Sequence, residues 1–156
     1  MNALVIYDSV FGNTERIARA IAAALGEGTA AQNVSAVTST DLTSIDILFV
    51  GSPTRSFKPT PAITAFLASL PADALKGVRA AAFDTRIPLE SIKNPVFRLV
   101  VKAGGYADHT IAKALAAKAA NLAIPSAGFI VLESEGPLKE GERERAAAWA
   151  RSILQA

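Results

Sequence analysis

With 156 residues, 51% of them hydrophobic and 19% charged, the chain is long enough to enclose a substantial core and too apolar to be disordered. It has no cysteine, which excludes disulfides, thiolate catalysis and cysteine-bound metals, and a net charge of +2 gives no argument for nucleic acid. No apolar run approaches the ~20 residues that cross a bilayer, and a strand begins within three residues of Met1, which leaves no room for a signal peptide. The expectation is a single-domain cytoplasmic protein, residues 1–156, with neither membrane nor nucleic-acid partners.

Strand and helix patterns alternate along the chain. The first strand is expected at Leu4–Tyr7, followed by a helix with Ile17, Ile21 and Leu25 on one stripe, ending near Gly26 and Gly28. A second strand is predicted at Val34–Thr38 and a third at Ile47–Gly51. Thr60 then stands as the N-cap of a helix with Pro61 at its first position, and its apolar stripe is Ile63, Phe66, Leu67 and Leu70. The fourth strand is read at Val78–Phe83. The runs near Ile47 and Val78 are almost continuously apolar, as central parallel strands covered on both faces should be. Asn94-Pro95 opens a short helix through Val101 or a strand. Asp108 is read as the cap of the next helix, with Ile111, Leu115 and Leu122 inward. A fifth strand is expected at Ala127–Leu132 and a last helix from Gly141 to Leu154, with Trp149 and Ile153 on one face. Five strands with intervening helices imply an α/β three-layer sandwich. Right-handed crossovers give a doubly wound, five-stranded parallel sheet in the order 2-1-3-4-5.

In such a sheet, ligands bind beyond the carboxyl ends of the strands where the winding reverses, here between strands one and three. Residues 9–14, Ser9, Val10, Phe11, Gly12, Asn13 and Thr14, form a short loop at the start of the first helix. The unpartnered N–H groups of a helix N-terminus and its dipole favour an anion. A phosphate monoester of a small cofactor fits. A nucleoside triphosphate does not, because no Gly-Lys-Ser/Thr follows, and the dinucleotide Gly-x-Gly-x-x-Gly pattern is missing. Strand three ends Val50-Gly51 and strand five ends Leu132-Glu133, so the acidic and lysine positions of a phosphate-accepting receiver are absent. Ser9 lacks the Gly-x-Ser-x-Gly elbow of a hydrolase, and no His/Asp/Glu spacing suggests a metal. The lone His109 reads best as a surface residue.

The spacing of Val5, Ile6, Tyr7, Ser9, Gly12, Thr14, Ala18 and Ile21 resembles the signature of the flavodoxins, with Phe11 standing where they carry a small hydroxyl residue. The resemblance implies a flavodoxin-like fold with FMN as cofactor, its phosphate on residues 9–14. The second flavin loop would be Pro53, Thr54, Arg55, Ser56 and Phe57, with Phe57 stacking on the ring, and the third would open with Asp84, Thr85 and Arg86. The implied role is electron transfer to a redox partner protein or an NAD(P)H-linked reductase, with no catalytic side chain of its own. An FMN-dependent NAD(P)H:quinone-type reductase and a flavin-free binding module remain as alternatives. Arg55, Lys58, Arg86, Lys93, Arg98 and Lys102 outnumber Asp84 and Glu90 around the expected site, so a positive surround is expected, unlike that of acidic flavodoxins.

Overall fold

Five consecutive apolar residues form the buried strand β1 (Ala3–Tyr7) in the computed structural model of the chain, which describes residues 1–88 and 93–156. Then follow α1 (Asn13–Leu25), β2 (Ala30–Asn33), β3 (Ile47–Pro53), α2 (Pro61–Ser69) and β4 (Arg79–Arg86). The chain continues through α3 (Pro95–Gly104), α4 (Ala107–Ala117), β5 (Asn121–Leu122), β6 (Ala127–Ile130) and α5 (Glu142–Arg151). The strands are parallel and run β2-β1-β3-β4-β5, with β6 also pairing with β4. This is the expected order.

Alternation along the strands divides the core in two. Val5, Phe49 and Phe83 face one way and pack with Ile17 and Ile21 of α1 and Ala146 and Ala150 of α5. Leu4, Leu48 and Val50 face the other way and meet Ile63 and Leu67 of α2 and Ile111 and Leu115 of α4. Each large aliphatic or aromatic side chain buried in this way contributes about 1.5–3 kcal/mol. Trp149 closes the first core edge-on to Phe49, Phe83 and Phe129, and its indole N–H donates to the Pro125 carbonyl (3.0 Å).

Strand packing leaves no room at Gly51, which lies opposite Phe83 in the ladder; a Cβ there would come within 2.1 Å of the Phe83 ring. Phe83 is fully buried and cannot give way. Gly51→Ala is therefore expected to destabilise the fold by about 1–3 kcal/mol or more through overpacking. A urea midpoint unchanged by the substitution would show that the core yields.

Several elements differ from expectation. The second strand is Ala30–Asn33; Val34–Ala36 forms a 3₁₀ turn in which the Asn33 side chain accepts from the Ser35 N–H. Asparagine diverts the backbone into this local bond and stops the ladder. The fifth position of the sheet is split, with β5 and β6 pairing with the two ends of β4 across 123–126, so the sheet has a sixth strand. Leu122 therefore lies in β5, 41% exposed, and not on the helix. Thr60 precedes α2 as expected, but its hydroxyl makes no capping bond; its N–H donates to Ser52 Oγ (2.9 Å). Tyr106, not Asp108, occupies the N-cap of α4. The final helix gives way to a 3₁₀ turn at Ser152–Gln155. Among the described residues, no helix is long and apolar enough to cross a membrane.

Candidate functional site

Between β1 and α1 the chain turns through residues 8–12. The Ser9 N–H donates to Asp8 Oδ1 (2.9 Å), and Ser9 Oγ accepts from the N–H groups of Gly12 (3.1 Å) and Glu15 (3.4 Å). The serine hydroxyl thus sits at the N-terminus of α1. Gly12 is the N-cap and has φ +91°. Asn13 and Thr14, the first residues of the helix, are buried, and the Thr14 hydroxyl lies 2.8 Å from that of Thr85 at the end of β4.

The second loop follows β3. Thr54 N–H donates to the Thr85 carbonyl (3.0 Å), and Arg55 and Lys58 exchange two backbone bonds (2.8 and 3.0 Å) around a two-residue turn. Ser56 and Phe57 at its tip have φ of +49° and +68°. That left-handed pair closes a tight hairpin that normally favours Asn-Gly.

Asp84, Thr85 and Arg86 are not a loop: they are the last residues of β4, paired with β3 and β6. Asp84 and Arg86 share a face, and the guanidinium grips the carboxylate through Nε–Oδ1 (2.7 Å) and Nη2–Oδ2 (2.9 Å). Asp84 Oδ2 also accepts from the Thr54 hydroxyl (3.2 Å) and the Asp108 N–H (3.0 Å). Arg86 Nη2 lies 3.1 Å from Asp108 Oδ1, and Asp108 Oδ2 accepts from Ser126 Oγ (2.7 Å). The Tyr106 ring stacks under the guanidinium at 3.9 Å, and its hydroxyl donates to the Ile87 carbonyl (3.1 Å). Asp84 is fully buried. Burial pushes its carboxyl up from 3.8 to about 6, against the opposite pull of Arg86. Burial lowers the Arg86 guanidinium, but the hydrogen bonds and charge of Asp84, with Asp108 and Tyr106, raise it on balance.

These segments surround a cleft of about 360 Å³ at the carboxyl end of the sheet, a volume suited to a small cofactor. Ser9, Val10, Phe11, Asn13 and Thr14 line one side, and Pro53, Thr54, Arg55 and Ser56 another. Thr85 and Arg86 line a third, with Ile87 beside them. Gly12, Phe57 and Asp84 are not among the lining residues. The aromatic in the cleft is Phe11, 42% exposed, with the Arg55 guanidinium 5.6 Å from its ring centre.

The expected positive surround is also altered. Arg86 is matched by two carboxylates, while Lys58, Lys93, Arg98 and Lys102 are exposed and do not line the cleft. Arg55 does line it, as does Glu135; Glu90 falls outside the described residues. His109 is exposed, and among the described residues no His/Asp/Glu group can hold a metal.

Sequence reasoning missed a fourth wall, Val131, Ser134 and Glu135. They belong to a hairpin in which Leu132 N–H donates to the Pro137 carbonyl (3.0 Å) and Lys139 N–H to the Ile130 carbonyl (2.9 Å). Asn13 Nδ2 donates to the Glu135 carbonyl (3.1 Å) and ties this hairpin to α1. Gly136, φ +112°, packs against the same amide; a Cβ there would come 2.8 Å from Asn13 Oδ1. The Gly136-Pro137 dipeptide was the available signal, because it marks a turn.

A family model described as Flavodoxin domain matches residues 4–85. Among curated proteins, no sequence matches significantly. Solved structures similar over 99% of the chain include oxidised Flavodoxin 2 from Bacillus cereus, at 20% identity, TM-score 0.75 and 99% of that chain. Oxidised Flavodoxin 1 from the same organism gives 16%, 0.74 and 98%. Rubredoxin oxygen:oxidoreductase from Desulfovibrio gigas gives 17% and 0.73, but only 35% of that chain is covered. At these identities the likeness speaks for the fold.

Proposed function

As the chain belongs to the flavodoxin-domain family, we propose that it binds FMN in the cleft between β1 and β3 and passes electrons between redox partners. The observation that carries this reading is the hydroxyl-bearing turn of Ser9 and Thr14 at the N-terminus of α1, opening into that cleft. The donor set suits a phosphate dianion: helix N–H groups, the Ser9 hydroxyl, and the paired hydroxyls of Thr14 and Thr85. The Gly12 and Glu15 N–H groups donate to Ser9 Oγ, and rotation of the Ser9 side chain would free both for phosphate oxygens. Pro53, Thr54 and Ser56 offer polar backbone and hydroxyl groups to the ring edge, and Phe11 offers it an apolar face. When bound, the flavin supplies the redox chemistry; the protein holds it, excludes water from part of its surface and leaves an edge open to a partner.

Native mass spectrometry of the purified protein, followed by titration with FMN, tests the reading. Stoichiometric FMN supports it, and failure of both measurements removes it. With FMN bound, rapid bleaching by NADPH alone identifies a reductase, whereas bleaching only through a partner protein identifies a carrier.

The stacking role is given to Phe11 in place of Phe57, because Phe11 lines the cleft and Phe57 does not. Phe11→Ala is expected to brighten bound-flavin emission and weaken binding by about 1 kcal/mol, while Phe57→Ala leaves the emission yield as it was. The opposite pattern in a fluorescence titration would return the role to Phe57.

A further inference from the structure

Ile87 and Tyr106 bracket α3 at the rim of the cleft. Ile87 lines the cleft, and the Tyr106 hydroxyl donates to its carbonyl (3.1 Å). The Ala107 N–H donates to the hydroxyl of Thr54, another lining residue (3.1 Å). α3 ends two residues before this clamp. At its other end Asn94 Oδ1 accepts from the Val96 N–H (2.9 Å) and Pro95 takes the first helical position, so the start of the helix is defined. Val96 and Leu99, one turn apart, are 65% and 67% exposed. Lys93, Arg98 and Lys102 are exposed as well, and none of them pairs with a carboxylate of a described residue. Arg98 and Lys102 share a helix face. From residue 93 to residue 132 the sequence holds one acid, Asp108, and it is buried against Arg86.

We propose that α3 docks an acidic redox partner protein, with Val96 and Leu99 at the centre of the contact and Lys93, Arg98 and Lys102 pairing with its carboxylates; this rests on the electron-transfer reading of the cleft. An apolar centre that sheds water, rimmed by groups that select the partner, is the ordinary anatomy of a protein interface. The sign of the rim sets the class of partner: a basic surface would meet three like charges, and an acidic one is steered inward. Lipid fits less well, because polybasic clusters that hold a helix to anionic headgroups have roughly four to eight cations. A partner seated on α3 stands on the Ile87 side of the cleft, where an electron would enter or leave the flavin. Glu135, on the hairpin wall, disfavours acidic approach from there. The positive charge of this chain thus serves the partner and not the cofactor.

The probe is a plant-type [2Fe–2S] ferredoxin, a small acidic one-electron carrier, titrated by calorimetry into the protein with and without FMN. It is expected to bind, and its affinity to fall at least about fivefold between about 0.01 and 0.15 M salt, as the screening length shrinks from about 30 to 8 Å. Arg98→Glu with Lys102→Glu should weaken docking at least about tenfold, and Leu99→Ser at least about fivefold. FMN affinity should stay within about threefold in both, because none of these residues lines the cleft. Lys76→Glu is the control: Lys76 is exposed before β4, at the end of the sheet away from the cleft, and should change docking by less than about twofold. If the α3 variants dock as the unaltered protein does, or Lys76→Glu loses as much as they do, the surface is overturned. Binding to phosphatidylglycerol vesicles with none to ferredoxin overturns it in favour of lipid. FMN binding without docking removes the surface and leaves the flavin reading standing. Docking that depends on α3 in a protein that takes up no FMN supports the surface and removes the flavin reading.

Discussion

Thr14→Ala is expected to weaken FMN binding by about tenfold to a hundredfold, since a hydrogen bond to a charged group contributes about 1.5–3 kcal/mol. The hydroxyl is nearly inaccessible and already held 2.8 Å from that of Thr85. Each fixes the other, so the donor is oriented before the phosphate arrives. The substitution also leaves Thr85 Oγ1 without this partner at a buried position, so a smaller loss of fold stability should accompany the loss of affinity. Riboflavin, which lacks the phosphate, should bind far more weakly than FMN and respond little to the change. The check is a flavin-fluorescence titration; equal affinities for FMN and riboflavin in the unaltered protein would remove the phosphate site altogether.

Asp84→Ala is expected to destabilise the protein by about 1.5–3 kcal/mol, because it takes the bidentate partner from the half-buried Arg86 guanidinium and leaves it Asp108 alone. Asp84→Asn separates charge from shape. Burial is the main reason that the Asp84 carboxyl titrates near 6 in place of 3.8. A carboxyl raised in the folded state binds its proton more readily there than in the unfolded chain. Its contribution to stability is complete below about pH 4 and is lost as the pH rises through about 6. The unaltered protein should therefore lose stability through this group over that window, whereas Asp84→Asn should not. Urea midpoints across the window measure this, and a difference between the two proteins that is independent of pH would contradict it.

The parts of the molecule readable in the sequence are those whose signals are local. Val5 through Ile21 carry a strand, a turn and a helix whose residues specify one another within a few positions, and the structure has them as expected. The second strand was not readable because it lies at the sheet edge. Ala30–Asn33 need only one neighbour and show no apolar run, while the alternating Val34–Thr38 looks more like a strand than the residues that form one. The polar Asp84-Thr85-Arg86 looked like a loop because nothing nearby in sequence announces Asp108, Tyr106 and Ser126, which make its burial tolerable. The choice between Phe11 and Phe57 depends on a hairpin tip with positive φ at two residues that seldom adopt it. The fourth wall of the cleft depends on one side-chain bond between Asn13 and Glu135.

That bond joins residues 122 positions apart, which bears on when the cleft comes into being during synthesis. Residues 9–14 leave the ribosome long before residues 130–139, so Asn13 must wait for the hairpin that fixes it. Until then β1, α1, β3 and most of β4 can associate, but the cleft lacks a wall. A nascent chain arrested after β4 should hold FMN poorly even if it has collapsed, and capture should begin only once the Gly136 turn has emerged. Completion of the cleft is thus a late event in the folding of this domain, timed by a contact between residues 122 positions apart.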